Sequence, residues 1–285
     1  MNIGEALIKS NEILKREKIH SYVLDSQLLM CKVLKKEKIF IIMNRDEELT
    51  QKEEEEFLSL IKLRKEKMPI KYILGETEFM GINILLRKGV LIPRADTEVL
   101  VEEVLRIIKD RGYSKICDLC SGSGAIGISI CTFIKDVTLK AYDIDKVALE
   151  VTELNIKKLG LSSRATVEYS DLLKSALEKN EKFDLVVSNP PYIRTEVIES
   201  LMKDVKDHEP HIALCGGDDG LMFYRKITKQ SLKVLKSGGV LAYEIGYDQR
   251  NDVINILNEN GFVGIYSLKD FGGNHRVVIG FLPKQ

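Results

Sequence analysis

The sequence predicts an α/β protein: an open, seven-stranded, mostly parallel sheet with the last strand antiparallel, preceded by a small helical bundle and a β-hairpin linker. Three observations predict this. Residues 1–70 show only helical apolar spacing, residues 71–92 hold short β-prone runs broken by glycine, and from residue 93 onward strands and helices alternate. A chain of 285 residues has room for about two ordinary domains. The expected division is a helical domain over 1–70, a linker over 71–92 and a sheet domain over 93–285.

The first helix, NIGEALIKSNEILKREK, sets Ile3, Leu7, Ile13 and Leu14 near helical spacing with charges between them. Ser21 stands where it would cap a second helix through SYVLDSQLLMCKVL. Thr50 followed by Glu53 is a capping-box pattern, and the acidic run Glu53–Glu56 suits the start of that helix as a solvated face. EFMGINILLRKGVLI, broken at Gly81 and Gly89, reads as the hairpin, and Pro93 ends it. Asp96 is the expected N-cap of TEVLVEEVLRIIKD, which should stop at Gly112. KICDL, VTLKAYD, ATVEYS, FDLVVS, GVLAYEIG, FVGIYSL and HRVVIGFL are the seven strands. The link KDFGGN is too short for a helical crossover, so the last two strands should be antiparallel neighbours.

Composition narrows the function. Hydrophobic residues make up 44% and charged residues 30%, a globular mix, and 43 Lys/Arg balance 43 Asp/Glu, which excludes a strongly basic binder of nucleic-acid backbones. The longest apolar stretch near the start, Ile39–Met43, is far below the roughly 18 residues of a membrane span. Glu5 and Lys9 fall where an export leader would be apolar, and five scattered cysteines suggest reduced thiols, so a cytoplasmic location is expected. No metal is expected. Cys117-x-x-Cys120 lacks a second ligand pair, and His208-Glu209-Pro210-His211 sets its histidines three apart across a proline rather than four apart on a helix. His20 and His275 stand alone and read as structural.

The chemistry concentrates at two strand ends. After the first strand comes Asp118-Leu119-Cys120-Ser121-Gly122-Ser123-Gly124-Ala125-Ile126-Gly127, a G-x-G-x-x-G turn into a helix that lets bare backbone approach a ligand. Asp143, nineteen residues past Gly124, ends the second strand, where it would accept hydrogen bonds from a ribose diol. These features fit either NAD or S-adenosylmethionine. Asp118 favours the second, because a carboxylate there would repel a pyrophosphate but suits a cationic amino-acid end. The antiparallel final strand points the same way.

The fourth strand runs into Asn189-Pro190-Pro191-Tyr192. Two prolines cannot continue a ladder and hold the backbone rigidly at the strand end. Asn189 offers a side-chain carbonyl. Pro190 offers a backbone carbonyl with no amide proton on Pro191 to compete for it, and Tyr192 offers a flat face. Together they suit a planar –NH2 group, a poor nucleophile that needs orientation and acceptors that strengthen as positive charge grows on nitrogen.

N-P-P-Y after the fourth strand and D-x-x-S-G-S-G after the first resemble the amino-methyltransferases of the Rossmann-like class I S-adenosylmethionine fold. LIPRADTEVLVEEV, HEPHIALCGGDDGLMFYRKI, EIGYDQ and HRVVIGF extend the resemblance over nearly the whole chain to the release-factor glutamine methyltransferases. The resemblance implies methylation of the side-chain amide nitrogen of the glutamine in the Gly-Gly-Gln motif of peptide-chain release factors. It implies that Cys120, Ser121, Gly122, Ser123 and Gly124 lie along the cofactor, that Asp143 holds the ribose and that Asp171 and Leu172 border the adenine. It further implies that Asn189 and Pro190 bind the glutamine amide beside Pro191 and Tyr192, with Arg94, Thr97 and Glu98 near its entrance. Two positions depart from the family pattern: Cys120 stands for the usual glycine and Ala95 for the usual proline.

N-P-P-Y is shared with adenine-N6 methyltransferases of DNA or RNA, which flip a base into the same kind of pocket. That alternative needs a basic reading surface, and residues 1–70 hold 14 Lys/Arg against 13 Asp/Glu. A methyltransferase fold used only for binding is the third reading, and it predicts no cofactor affinity. The partners expected are release factors, met by the helical domain outside the glutamine loop, with no direct nucleic-acid readout, no membrane and a monomeric chain.

Overall fold

The computed structural model describes residues 1–284, and these divide into two compact units: Met1–Glu76 with Met202–His208, and Thr77–Leu201 with Glu209 onward. Among the described residues, no helix is long and apolar enough to cross a membrane.

The first unit contains α1 (Ile3–Arg16), α2 (Tyr22–Leu34), α3 (Lys38–Met43), α4 (Gln51–Lys65) and α5 (Ile70–Leu74). Their apolar faces meet in a core built on Leu14, Leu29, Met30 and Phe57. Both α1 and α4 open with full capping boxes, Asn2 with Glu5 and Thr50 with Glu53. Ser21 precedes α2 without capping it. Its hydroxyl turns to Asp25 at 2.9 Å, because that buried carboxylate is already anchored by Arg64 Nε at 2.7 Å and is the stronger acceptor. Arg64 also reaches Asp204 at 3.0 Å, tying the distant 202–208 segment into this unit.

A hairpin follows, β1 (Glu76–Phe79) and β2 (Ile82–Leu85), joined by Met80 and Gly81, both with positive φ as a tight primed turn requires. The expected linker therefore starts too early: residues 71–74 are helical in α5, where Pro69 supplies the entry and Gly75, left-handed at φ 83, the stop.

The second unit continues with α6 (Glu98–Arg111), β3 (Lys115–Leu119), α7 (Ala125–Phe133), β4 (Thr138–Asp143), α8 (Lys146–Lys158), β5 (Ala165–Tyr169), α9 (Lys174–Glu178), β6 (Phe183–Ser188) and α10 (Thr195–Ile198). α11 (Lys203–Lys206) belongs to the first unit. α12 (Met222–Val234), β7 (Leu235–Glu244), α13 (Arg250–Glu259), β8 (Val263–Lys269) and β9 (His275–Phe281) complete the chain. Asp96 does not cap α6. It lies in a 3-10 turn, Ala95–Thr97, and its carboxylate stands 3.6 Å from Arg276, a charge partner that competes with the helix end.

The seven strands are ordered β5-β4-β3-β6-β7-β9-β8, and only β9 runs against its neighbours. Period-two alternation splits each central strand between two cores. Ile116, Leu185 and Val187 face α6 and α7, while Cys117, Val186 and Tyr243 face α12 and α13. Successive strands run outward in opposite directions from the β3–β6 contact. The crevice beyond that pair's carboxyl ends is the place such sheets bind ligands.

Candidate active site

The glycine turn occupies that crevice. Gly122 and Gly124 take positive φ, 57 and 78. Gly127 is helical, but a Cβ there would sit 2.7 Å from Leu139 and 2.8 Å from Asp118 Oδ2, so glycine lets α7 lie directly on the sheet. The loop is pinned from behind. Gly122 N–H donates to Asp143 Oδ2 at 2.9 Å, Thr152 Oγ1 donates to Gly122 O at 3.1 Å, and Asn155 Nδ2 donates to Ser123 O at 3.0 Å. Asn155, fully buried, also pairs with both backbone groups of Leu85, so α8 braces the loop and β2 with one amide.

Asp118, expected to suit a cationic amino-acid end, lies within β3 beneath the glycine turn. It is wholly buried, with Oδ2 accepting Gly127 N–H at 2.9 Å and Oδ1 without a hydrogen-bond partner. Burial pushes its carboxyl up to about 7, against the Gly127 hydrogen bond and with Asp143 adding repulsion. An orphaned buried carboxylate oxygen under a loop of bare backbone fits a ligand that brings positive charge. The residues present are compatible with S-adenosylmethionine in this respect.

The cleft in front of the loop has a volume of about 150 Å³ and opens to solvent. Cys120, Gly122, Asp143, Asp171, Leu172, Asn189 and Pro191 line it, together with apolar residues such as Ile144, Ile212 and Phe223. An adjoining recess is lined by Thr97, Cys120, Ser121, Gly122, Ser123 and Asn189 among others. Asn189 is common to both. Gly124, Pro190 and Tyr192 adjoin these lining residues in the chain without lining either space themselves. Arg94 is engaged with Glu209 at 2.5 Å, and Glu98 accepts the Met80 N–H at 2.8 Å, which turns it toward the hairpin rather than the cleft. Among the described residues, no group of three or more His, Cys, Asp or Glu could hold a metal ion.

Residues 5–75 match the family model "PrmC N-terminal domain" and residues 95–208 match "Methyltransferase small domain". The release factor glutamine methyltransferases of Clostridium botulinum and Clostridium acetobutylicum are each 52% identical to this chain, over 98% of both lengths. The chain belongs to the release factor glutamine methyltransferase family. It is an S-adenosylmethionine-dependent methyltransferase. The solved T. thermophilus 16S rRNA N2 G1207 methyltransferase, in complex with AdoMet and guanosine, shares the fold. It has a TM-score of 0.52 and 16% identity, covering 73% of this chain and 49% of that one.

Further residues brace Asn189-Pro190-Pro191-Tyr192, and nothing in their spacing along the sequence marks them. Ile193 pairs with Cys215 in a short parallel bridge, through Ile193 N–H to Leu214 O at 2.9 Å and Gly216 N–H to Ile193 O at 2.8 Å. Gly216 packs so closely that a Cβ would meet Tyr192 Cα at 2.7 Å and Pro191 O at 2.8 Å. Gln249, almost fully buried, donates Nε2 to Tyr192 O at 2.9 Å and Gly220 O at 3.2 Å, while its Oε1 accepts the Gly246 N–H at 3.0 Å. The HEPHIALCGGDDGL and EIGYDQ segments therefore support the proline turn from beneath. Tyr192 is half-buried, and burial, with Glu244 nearby, holds its hydroxyl well above the usual range, so the phenol stays neutral.

Proposed function

We propose that this chain methylates the side-chain amide nitrogen of the glutamine in the Gly-Gly-Gln motif of peptide-chain release factors. One observation carries the reading: Asn189 lines both the cleft in front of the glycine loop and the recess beside Thr97, which would let a single side chain reach donor and acceptor together. S-adenosylmethionine supplies an activated methyl on a sulfonium centre. The chain's own residues bind and orient. Gly122, Ser121 and Ser123 present loop backbone and Asp143 accepts from the ribose. Asp171 and Leu172 border the base, and Cys120 lies by the methionine part.

At the acceptor, Asn189 Oδ1 and the Pro190 carbonyl take the two amide hydrogens, and Tyr192 packs beside the plane. Both acceptors gain strength as the nitrogen becomes positive, which is where orientation lowers the barrier. Thr97 lies at the recess, and Arg94 with Glu209 borders its approach. Glu98, committed to Met80, takes no part in this account.

The helical unit is proposed to hold the release factor outside the glutamine loop, because one glutamine offers little area for specificity. Ile39, Ile42 and Met43 of α3 are more than half exposed and supply apolar surface for such a contact. A monomer in the cytoplasm, with no membrane contact and no direct nucleic-acid readout, completes the reading. Mass spectrometry of the release-factor glutamine peptide tests it: incubation with enzyme and cofactor should add one methyl to that glutamine. Methylation of adenine in DNA or RNA, with the release factor untouched, would overturn it.

A further inference from the structure

Beside the methyl-acceptor residues lies a buried carboxylate with no role among them. Glu244 ends β7 and is only 2% exposed, yet its Oε2 has no hydrogen-bond partner. Burying an unpartnered carboxylate is costly, and a leucine or glutamine would fill the place at less cost. Its position follows from register. Ser188 of β6 pairs with Tyr243 of β7 in the parallel ladder, so Asn189 and Glu244 are the next residues along each strand, neighbours on one face. The Asn189 and Thr97 side chains face the Glu244 carboxylate and favour its charge, and Thr97 Oγ1 is itself buried without a partner.

An asparagine amide presents oxygen on one side and N–H donors on the other, and only its neighbours decide which way it points. Resting on the acceptor role of Asn189 given above, we propose that Glu244 is a positioning residue. Its ionised carboxylate accepts an Asn189 Nδ2–H and so holds Oδ1 toward the methyl-accepting nitrogen. The same negative charge polarises the amide and makes Oδ1 a better acceptor as the nitrogen turns cationic. A protonated Glu244 would do the reverse, because its O–H competes for Oδ1.

The groups around Glu244 set its titration. Asp96 and Thr97 face it from the 3-10 turn, Asn189 and Tyr192 from the proline turn, and Tyr224, whose hydroxyl donates to Glu244 O at 2.9 Å, from α12. Arg276 faces it from β9, but its guanidinium is spent on Asp270 at 3.0 Å and Asp96 at 3.6 Å. Burial dominates and raises the carboxyl to about 7. Turnover at saturating cofactor should therefore rise with pH through that region. Asp118 titrates there too, but it acts on cofactor binding, which saturation removes from kcat.

The test measures kcat, KM for release factor and cofactor Kd for wild type, Glu244→Met and Glu244→Gln across pH 5.5 to 9. Glu244→Met should lose about 30-fold or more in kcat, with KM and Kd within about threefold. Glu244→Gln should lose the rising kcat limb. Wild-type kcat within threefold in Glu244→Met, or an unchanged limb in Glu244→Gln, overturns the proposal. If Glu244→Met fails to bind cofactor, the near-isosteric Glu244→Gln alone decides by the presence or absence of the limb. Absence of transfer by the wild-type enzyme would instead sink the glutamine reading itself, so the two failures are distinguishable.

Discussion

The two halves of the cleft are built on different scales. The glycine loop is held by residues close along the chain: Asp143, Thr152 and Asn155 reach it across 21, 30 and 32 positions. The Asn189 turn is held by later returns of the chain, Gly216 and Gly220 under its backbone and Gln249 on the Tyr192 carbonyl across 57 positions. The first half is a strand-turn-helix-strand-helix unit that presents backbone. The second would present one oriented side chain and one backbone carbonyl, and its geometry depends on loops packing against one another. Damage to the first should fall on cofactor affinity, and damage to the second on turnover.

Asn189→Ala presses hardest on that contrast. It should lower kcat by about a thousandfold, since it would remove the proposed acceptor of an amide hydrogen, while cofactor Kd by calorimetry stays within about threefold. A comparable loss of cofactor affinity would merge the two halves. Gly220→Ala comes next. Its Cβ would overlap Tyr192 O and fall 2.6 Å from Gln249 Nε2, at φ 73, so the turn must move. A destabilisation of about 2–3 kcal/mol and a kcat loss of about tenfold are expected, read by denaturant melts and single-turnover assays.

The pH dependence of cofactor binding probes the other half. Asp118, pushed up to about 7 by burial, is largely protonated at pH 5.5 in the free site, whereas a cationic ligand favours its ionised form. Affinity should therefore rise with pH, by up to about tenfold per unit, and level off above neutrality. Asp118→Asn should flatten that profile, and a profile that falls with pH would contradict the placement. The smallest effect is Cys120→Gly. Cys120 sits at φ 60, a left-handed position that costs a side chain roughly 1 kcal/mol. The glycine variant should melt a few degrees higher and bind cofactor somewhat more tightly, and a lower melting temperature would refute the strain.

Much of this was legible in the sequence, and the reason differs by element. The capping box at Thr50, the left-handed stop at Gly112 and the G-x-G-x-x-G turn follow from backbone limits within a few residues. Ser21 and Asp96 misled because each has a charged partner elsewhere, Asp25 with Arg64 and Arg276 respectively, that outbids the helix end. Nothing in the spacing around Gln249 or Asn155 marks them, because an amide becomes a brace only when two distant backbones arrive on either side of it.

By itself the sequence determined the succession of strands and helices, the bare-backbone turn after β3 and the rigid Asn189-Pro190-Pro191 turn after β6, since periodicity and allowed φ are local properties. Only the tertiary structure decided that Asp118 is buried with an orphaned oxygen, that Glu98 faces the hairpin and that Glu244 stands beside Asn189. Those outcomes depend on strand order and register, which are set by which surfaces must leave water together and not by any run of neighbouring residues.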